Sequence, residues 1–128
     1  MGIRKHRIMR GLLIDPSNMS ITEVNYDGNW KTIKDHIGNG CTIFECPINL
    51  DNGDSFYTDE EGLYHDNIGG LHRHDWRFPL VGRILVLGLD KETGDTIDAV
   101  STIEELASEH NLICKNDPGL IQYFKHFN

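Results

Sequence analysis

Hydrophobic residues in this chain fall mostly in short runs of period two, broken by Gly, Pro, Asp and Asn, and only twice in the three-and-four spacing of an amphipathic helix. That pattern predicts an α+β protein: a mostly antiparallel sheet of about six strands with two helices packed on it. Residues 7–14 form the first predicted strand, and Asp15-Pro16-Ser17-Asn18 supplies the turn into a return strand over 20–25. Trp30, Ile33 and Ile37 recur at i, i+3 and i+7, the stripe of a short helix stopped by Gly38. A strand over 41–48 turns at Asp51-Asn52-Gly53-Asp54 into a partner over 55–58. The most apolar run, Ile84-Leu85-Val86-Leu87, is predicted as a central strand, with a turn at Lys91-Glu92-Thr93-Gly94 and a return strand near 96–100. Ser101 and Glu104 have the spacing of a capping box, opening a helix whose buried stripe is Ile103, Leu106, Ala107 and His110. After Asp117-Pro118-Gly119, residues 120–127 predict one or two more amphipathic turns, and residues 59–78 show no period at all.

A chain of 128 residues suffices for one domain, so residues 1–128 are read as a single unit with a tail at 117–128. The tail is expected to dock on that unit, the alternative being insertion into a partner's groove. Twenty acidic against twelve basic side chains leave a formal charge of −8, which disfavours direct nucleic-acid binding because that rests on clustered Lys and Arg. The N-terminal residues do not read as a signal peptide, and no apolar run approaches the roughly 18 residues of a membrane span. Cys41, Cys46 and Cys114 match neither a disulfide framework nor a zinc knuckle, so reduced thiols in the cytoplasm are expected, with Cys41 and Cys46 in core packing.

The candidate chemistry lies in the stretch without a period. His65, Asp66, His72, His74 and Asp75 fall within eleven residues, and on an extended segment His72 and His74 share a face. With His65 or Asp66 as a third ligand they would hold zinc or another divalent transition metal, which lowers the pKa of a bound water in metal-dependent hydrolases and nucleases. The alternative is a set of histidines that only hydrogen-bond within the loop, with no cofactor. Arg73, Trp76 and Arg77 form a basic and aromatic island suited to a small anionic ligand or the acidic patch of a partner protein, since guanidinium pairs bidentately with carboxylate or phosphate. The alternative places Trp76 in the core and sets the arginines against Asp59, Glu60 and Glu61.

Leu12-Leu13-Ile14-Asp15-Pro16, Thr22-Glu23-Val24, Ile33, Ile37-Gly38, Asp59-Glu60-Glu61-Gly62 and Gly82-Arg83-Ile84-Leu85-Val86-Leu87-Gly88 together resemble an uncharacterised family of short domains encoded by bacteriophages and mobile elements. The resemblance covers about residues 8–108 and implies an accessory protein. Three functions follow as expectations. The first is a noncatalytic protein that binds a host protein or small anionic ligand through residues 64–78 and the tail. The second is a small metal-dependent hydrolase or nuclease built on His72 and His74. The third is a structural homo-oligomer sealed by the tail.

Overall fold

The computed structural model describes residues 8–127. The predicted start of the first strand at residue 7 lies outside them. The chain opens on a hairpin, β1 (Met9–Asp15) and β2 (Ser20–Tyr26), paired without a break from Met9 opposite Tyr26 to Asp15 opposite Ser20. The turn is held by the Asp15 carboxylate, which accepts from the Ser17 amide and hydroxyl and from Asn18, and which pairs with Arg83 at 3.2 Å. Burial alone would raise the Asp15 pKa, but those hydrogen bonds and the guanidinium outweigh it and hold the carboxyl below its ordinary value.

A 3-10 turn, Trp30–Thr32, leads into α1 (Ile33–Ile37), and Gly38 ends it at φ 62°, a left-handed conformation that costs glycine little. Ile33 and Ile37 are buried as the stripe predicts, but Trp30 is 64% exposed, because the 3-10 turn rotates its side chain away from the α-helical face. β3 (Phe44–Asn49) and β4 (Ser55–Asp59) pair across a register shift between Glu45 and Ile48, where Pro47 interrupts the edge strand. Cys41 precedes β3 and is buried, whereas Cys46 is exposed, so only Cys41 is a buried core thiol.

The segment without a period is not irregular throughout. It holds a 3-10 turn at Gly62–Tyr64 and β5 (Gly70–His72), which pairs with β6 (Leu80–Val81). β7 (Ile84–Leu89) follows and takes the middle of the main sheet, whose order is β2-β1-β7-β4-β3, with β8 (Thr96–Ile97) paired to β7 as the sixth strand. β8 is shorter than the predicted strand. At Asp98 the chain leaves β7 for β1, where the Ala99 amide donates to the Arg10 carbonyl and the Arg10 amide to the Asp98 carboxylate. The crossing is close, since a Cβ on Gly88 would run into the Asp98 carbonyl.

α2 (Ile103–Glu109) starts one residue later than the sequence spacing suggests: the capping box is Thr102 with Glu105. Ser101 instead gives its amide to the buried Asp54 carboxylate, and its hydroxyl accepts from Asn52, so both groups a capping box would use are engaged elsewhere. Leu106 and His110 are buried, and Ala107 is exposed. β9 (Asn111–Ile113) completes a second sheet of order β6-β5-β9. α3 (Pro118–Phe127) is a full helix where one or two turns were predicted, making three helices against the two expected. Its Leu120 and Phe124 are buried against Val81, with Leu63 and Ile113 alongside. No helix among the described residues is long and apolar enough to cross a membrane.

The main sheet is covered on both faces. Ile84 and Val86 join Leu12, Ile14, Phe56, Leu71, Ala99 and Leu106 on one side, while Leu85 and Leu87 join Met9, Tyr26, Ile33, Ile37 and Cys41 on the other. Alternate residues of β7 thus serve two cores, which is why the strand reads as an unbroken apolar run.

Asp54 locks the turn between β3 and β4 to the segment ahead of α2, accepting the Val100 and Ser101 amides at 2.8 Å each. Its side chain is fully buried. Asp54→Ala leaves two amides without an acceptor and is expected to cost about 3 kcal/mol. Urea unfolding with an unchanged slope and a lower midpoint checks this, and a midpoint equal to wild type would refute it.

Candidate functional site

The two segments singled out as contact surfaces, residues 64–78 and the tail, meet in space. Phe78 follows the loop on β5, and its ring stacks on Tyr123 of α3 with centroids 5.8 Å apart and an interplanar angle of 22°. Tyr123 in turn meets Phe127 edge-on at 5.1 Å, and the Arg77 guanidinium lies over Phe78 at 5.3 Å. Helical spacing builds this row: residues 123 and 127 are one turn apart, while Leu120 and Phe124 point into the small core below. Phe78 is 52% exposed and Phe127 41%, so the row is a surface ridge of rings.

A groove runs along each side of the ridge, and Phe78, Pro79 and Tyr123 are the wall they share. One, of about 230 Å³, is floored by Leu63, Leu80 and Val81 and edged by Glu45, Asp59 and Glu60. The other, of about 270 Å³, is floored by Ile113 and Leu120 and edged by His72 and Arg77. Asp117 also borders this second groove, but its carboxylate accepts the Leu120 amide at the start of α3. The ridge therefore separates a bank edged by carboxylates alone from one that carries the Arg77 guanidinium beside Asp117.

Arg10, Arg73 and Arg83 each pair with a carboxylate, Glu23, Asp75 and Asp15 respectively. Arg77 has no carboxylate partner among the described residues. Neither Glu45 nor Glu60 has an ion-pair partner among them. Exposed aromatic rings beside an arginine are the residue types enriched at protein interfaces.

The other expected site residues are dispersed. Trp76 turns inward and packs its ring against Phe56 and His110, at 6.4 and 5.4 Å between centroids. Arg73 binds Asp75 at 2.9 Å and not Asp59, Glu60 or Glu61, and the grooves it borders carry Asp51, Asp75, Glu105 and Glu109, a setting that repels anions. Of the island Arg73, Trp76 and Arg77, only Arg77 reaches the ridge. His72 donates through Nε2 to the Trp76 carbonyl at 3.1 Å, and His65 binds the Asp59 carboxylate through Nδ1. No three His, Cys, Asp or Glu side chains gather as a metal-holding group among the described residues, so His65, His72 and His74 do not converge. Pairing of β5 with β6 and β9 fixes His72 in the second sheet, while His65 packs by Gly40.

That packing does bring Cys41, Asp59 and His65 into one neighbourhood, a grouping the sequence gives no sign of. It does not make a nucleophile. The Cys41 thiol donates to the Ile43 carbonyl at 3.6 Å, and burial, reinforced by the negative Asp59, pushes its pKa up to about 11. Alkylation of the native protein at pH 8 is expected to label exposed Cys114 first, Cys46 more slowly because partial desolvation of its thiol raises the pKa although the residue is exposed, and Cys41 only on unfolding. Peptide mapping after timed alkylation checks the order, and early labelling of Cys41 would overturn it.

His110 sets a pH limit on the packing behind the loop. Its Nδ1 donates to the Leu106 carbonyl at 3.0 Å, and Nε2 is buried with no hydrogen-bond partner among the described residues. Burial pushes its pKa below the ordinary 6.5, despite the Leu106 bond and Glu109 and Asp75, with Arg73 adding to the effect. The folded state then binds fewer protons than the unfolded one as pH falls through 6.5, so stability declines there until the lowered pKa is passed. Urea midpoints at pH 7.5 and 5.5, followed by tryptophan fluorescence, should show this decline and a weaker one in His110→Phe; equal declines in the two proteins would refute it.

No family model, no curated protein and no solved structure matches this chain.

Proposed function

We propose that this protein acts by binding, as a noncatalytic accessory protein whose contact surface is the ridge of Phe78, Tyr123 and Phe127 with Arg77 at its edge. The observation that carries the reading is the exposed, stacked aromatic row next to a guanidinium that no carboxylate neutralises within the described chain. Aromatic rings and arginine supply most of the energy at protein interfaces, because they bury large area at small entropic cost and form directional bonds to carboxylates. The partner class is a protein surface that presents a carboxylate beside apolar side chains. A small anion is less well served, since both grooves are open and smaller than the roughly 300–1,000 Å³ of enclosed ligand pockets. The resemblance to short phage and mobile-element domains supports a host protein as the target, and three free cysteines support the cytoplasm as its location.

A photo-crosslinking residue placed at Phe127, and separately at exposed Glu104 on α2, tests the surface in cells that make the protein. Adducts are expected from position 127 and not from 104. Equal yields from both positions, or none from 127, would count against the ridge.

A further inference from the structure

Taking the ridge as a contact surface, we infer that its occupant is a second copy of this chain, paired about a two-fold axis that runs along the row of rings. In that pair Arg77 of each protomer meets Glu45 and Glu60 of the other.

Charge is arranged asymmetrically across the ridge. A two-fold axis relating two faces in contact lies in the plane between them, so a patch on one side of the axis meets the opposite side of the same patch on the other copy. A face with like charges on both banks repels itself under this operation. Here one bank carries Glu45 and Glu60, the other carries Arg77, with the Asp117 carboxylate of that bank turned onto the Leu120 amide at the start of α3, and the wall between them is Phe78, Pro79 and Tyr123. Rotation therefore sets Arg77 against Glu45 and Glu60 twice, and lays the exposed rings of each ridge against those of the other. An unrelated partner would need both charges in matching order, whereas a second copy presents them by symmetry.

Energetics point the same way. The rings are already ordered, Phe78 by its stack on Tyr123 and Tyr123 by the helix anchored through Leu120 and Phe124, so pairing freezes few rotamers. The Arg77 guanidinium already lies over the Phe78 ring, at 5.3 Å from its centroid, beside the ridge where a carboxylate would meet it. Both glutamates are exposed, so their charge can be reversed without disturbing a core.

Sedimentation velocity of the full chain over a concentration series tests the pair. Wild type is expected to be dimeric at the upper concentrations. Arg77→Glu should weaken the dimer at least about tenfold, and so should Glu45→Arg/Glu60→Arg, because each sets like charges together twice. Mixing the two variants in equal amounts should restore a dimer, as should combining all three changes in one chain. Rescue in the mixture also shows that both variants are folded, since neither protein supplies the other's fold. Wild type that stays monomeric at every soluble concentration, a dimer indifferent to Arg77→Glu, or a mixture that stays monomeric would each overturn the inference. The crosslinker at position 127 separates the two levels of the argument. An adduct of twice the chain mass is expected. An adduct with a different protein only, from a monomeric chain, overturns the second copy and leaves the binding surface standing, and no adduct at all removes both.

Discussion

The double-sided burial of β7 is the constraint on which the other parts depend. Ile84, Leu85, Val86 and Leu87 are all inaccessible to solvent, so each face of the strand needs its own cover. At roughly 1.5–3 kcal/mol for each fully buried aliphatic side chain, this one strand accounts for several kcal/mol of the drive to fold. β1 and β4 flank it by antiparallel pairing, which aligns Leu12 and Phe56 with Val86 and so builds a continuous apolar layer. α1 closes one face through Ile33 and Ile37, and Leu71 of β5 with Leu106 of α2 closes the other.

The second sheet and α3 follow from that arrangement. Leu71 belongs to the main core, and the strand that carries it must still satisfy its own backbone, which it does by pairing with β6 and β9. The outer side of this small sheet then offers Val81 and Ile113 as a seat for Leu120 and Phe124. A helix seated by so narrow a stripe leaves its flanking residues uncovered. Tyr123 and Phe127 lie on that flank, beside Phe78 as it leaves the loop, and the ridge results from this docking.

The same geometry explains why residue types alone misplace the chemistry. In a polar loop, alternating histidines would be free to share a metal, but β5 is a paired strand, and its histidine is held by the Trp76 carbonyl. Trp76 is drawn inward because a large ring lowers the free energy more against Phe56 and His110 than in water. Arg73 satisfies itself on Asp75 two residues away. Arg77 is left over, and its position on the ring of Phe78 makes it the one arginine of the loop that faces the ridge.

By itself, the sequence determined the α+β class, the two leading hairpins, the central place of β7 and the stop of α1 at Gly38. These rest on local signals, namely side-chain period, turn residues and left-handed glycine, that act over a few residues and are written in order along the chain. Tertiary structure alone decided the short strands β5, β6 and β9, since pairs of two or three residues are too short to show a period and exist only where another strand supplies their bonds. It decided the helix cap as well: Asp54, 47 positions earlier in the chain, takes the Ser101 amide and leaves the cap to Thr102. And it decided the candidate site. The sequence marked residues 64–78 and the tail as stretches with unassigned polar and aromatic groups, but which side chains face outward depended on what each could bury or bond at long range. Glu45, Glu60, Arg77 with Phe78, and Tyr123 are scattered over four places in the chain, and only the docking of α3 on the second sheet gathers them around one ridge.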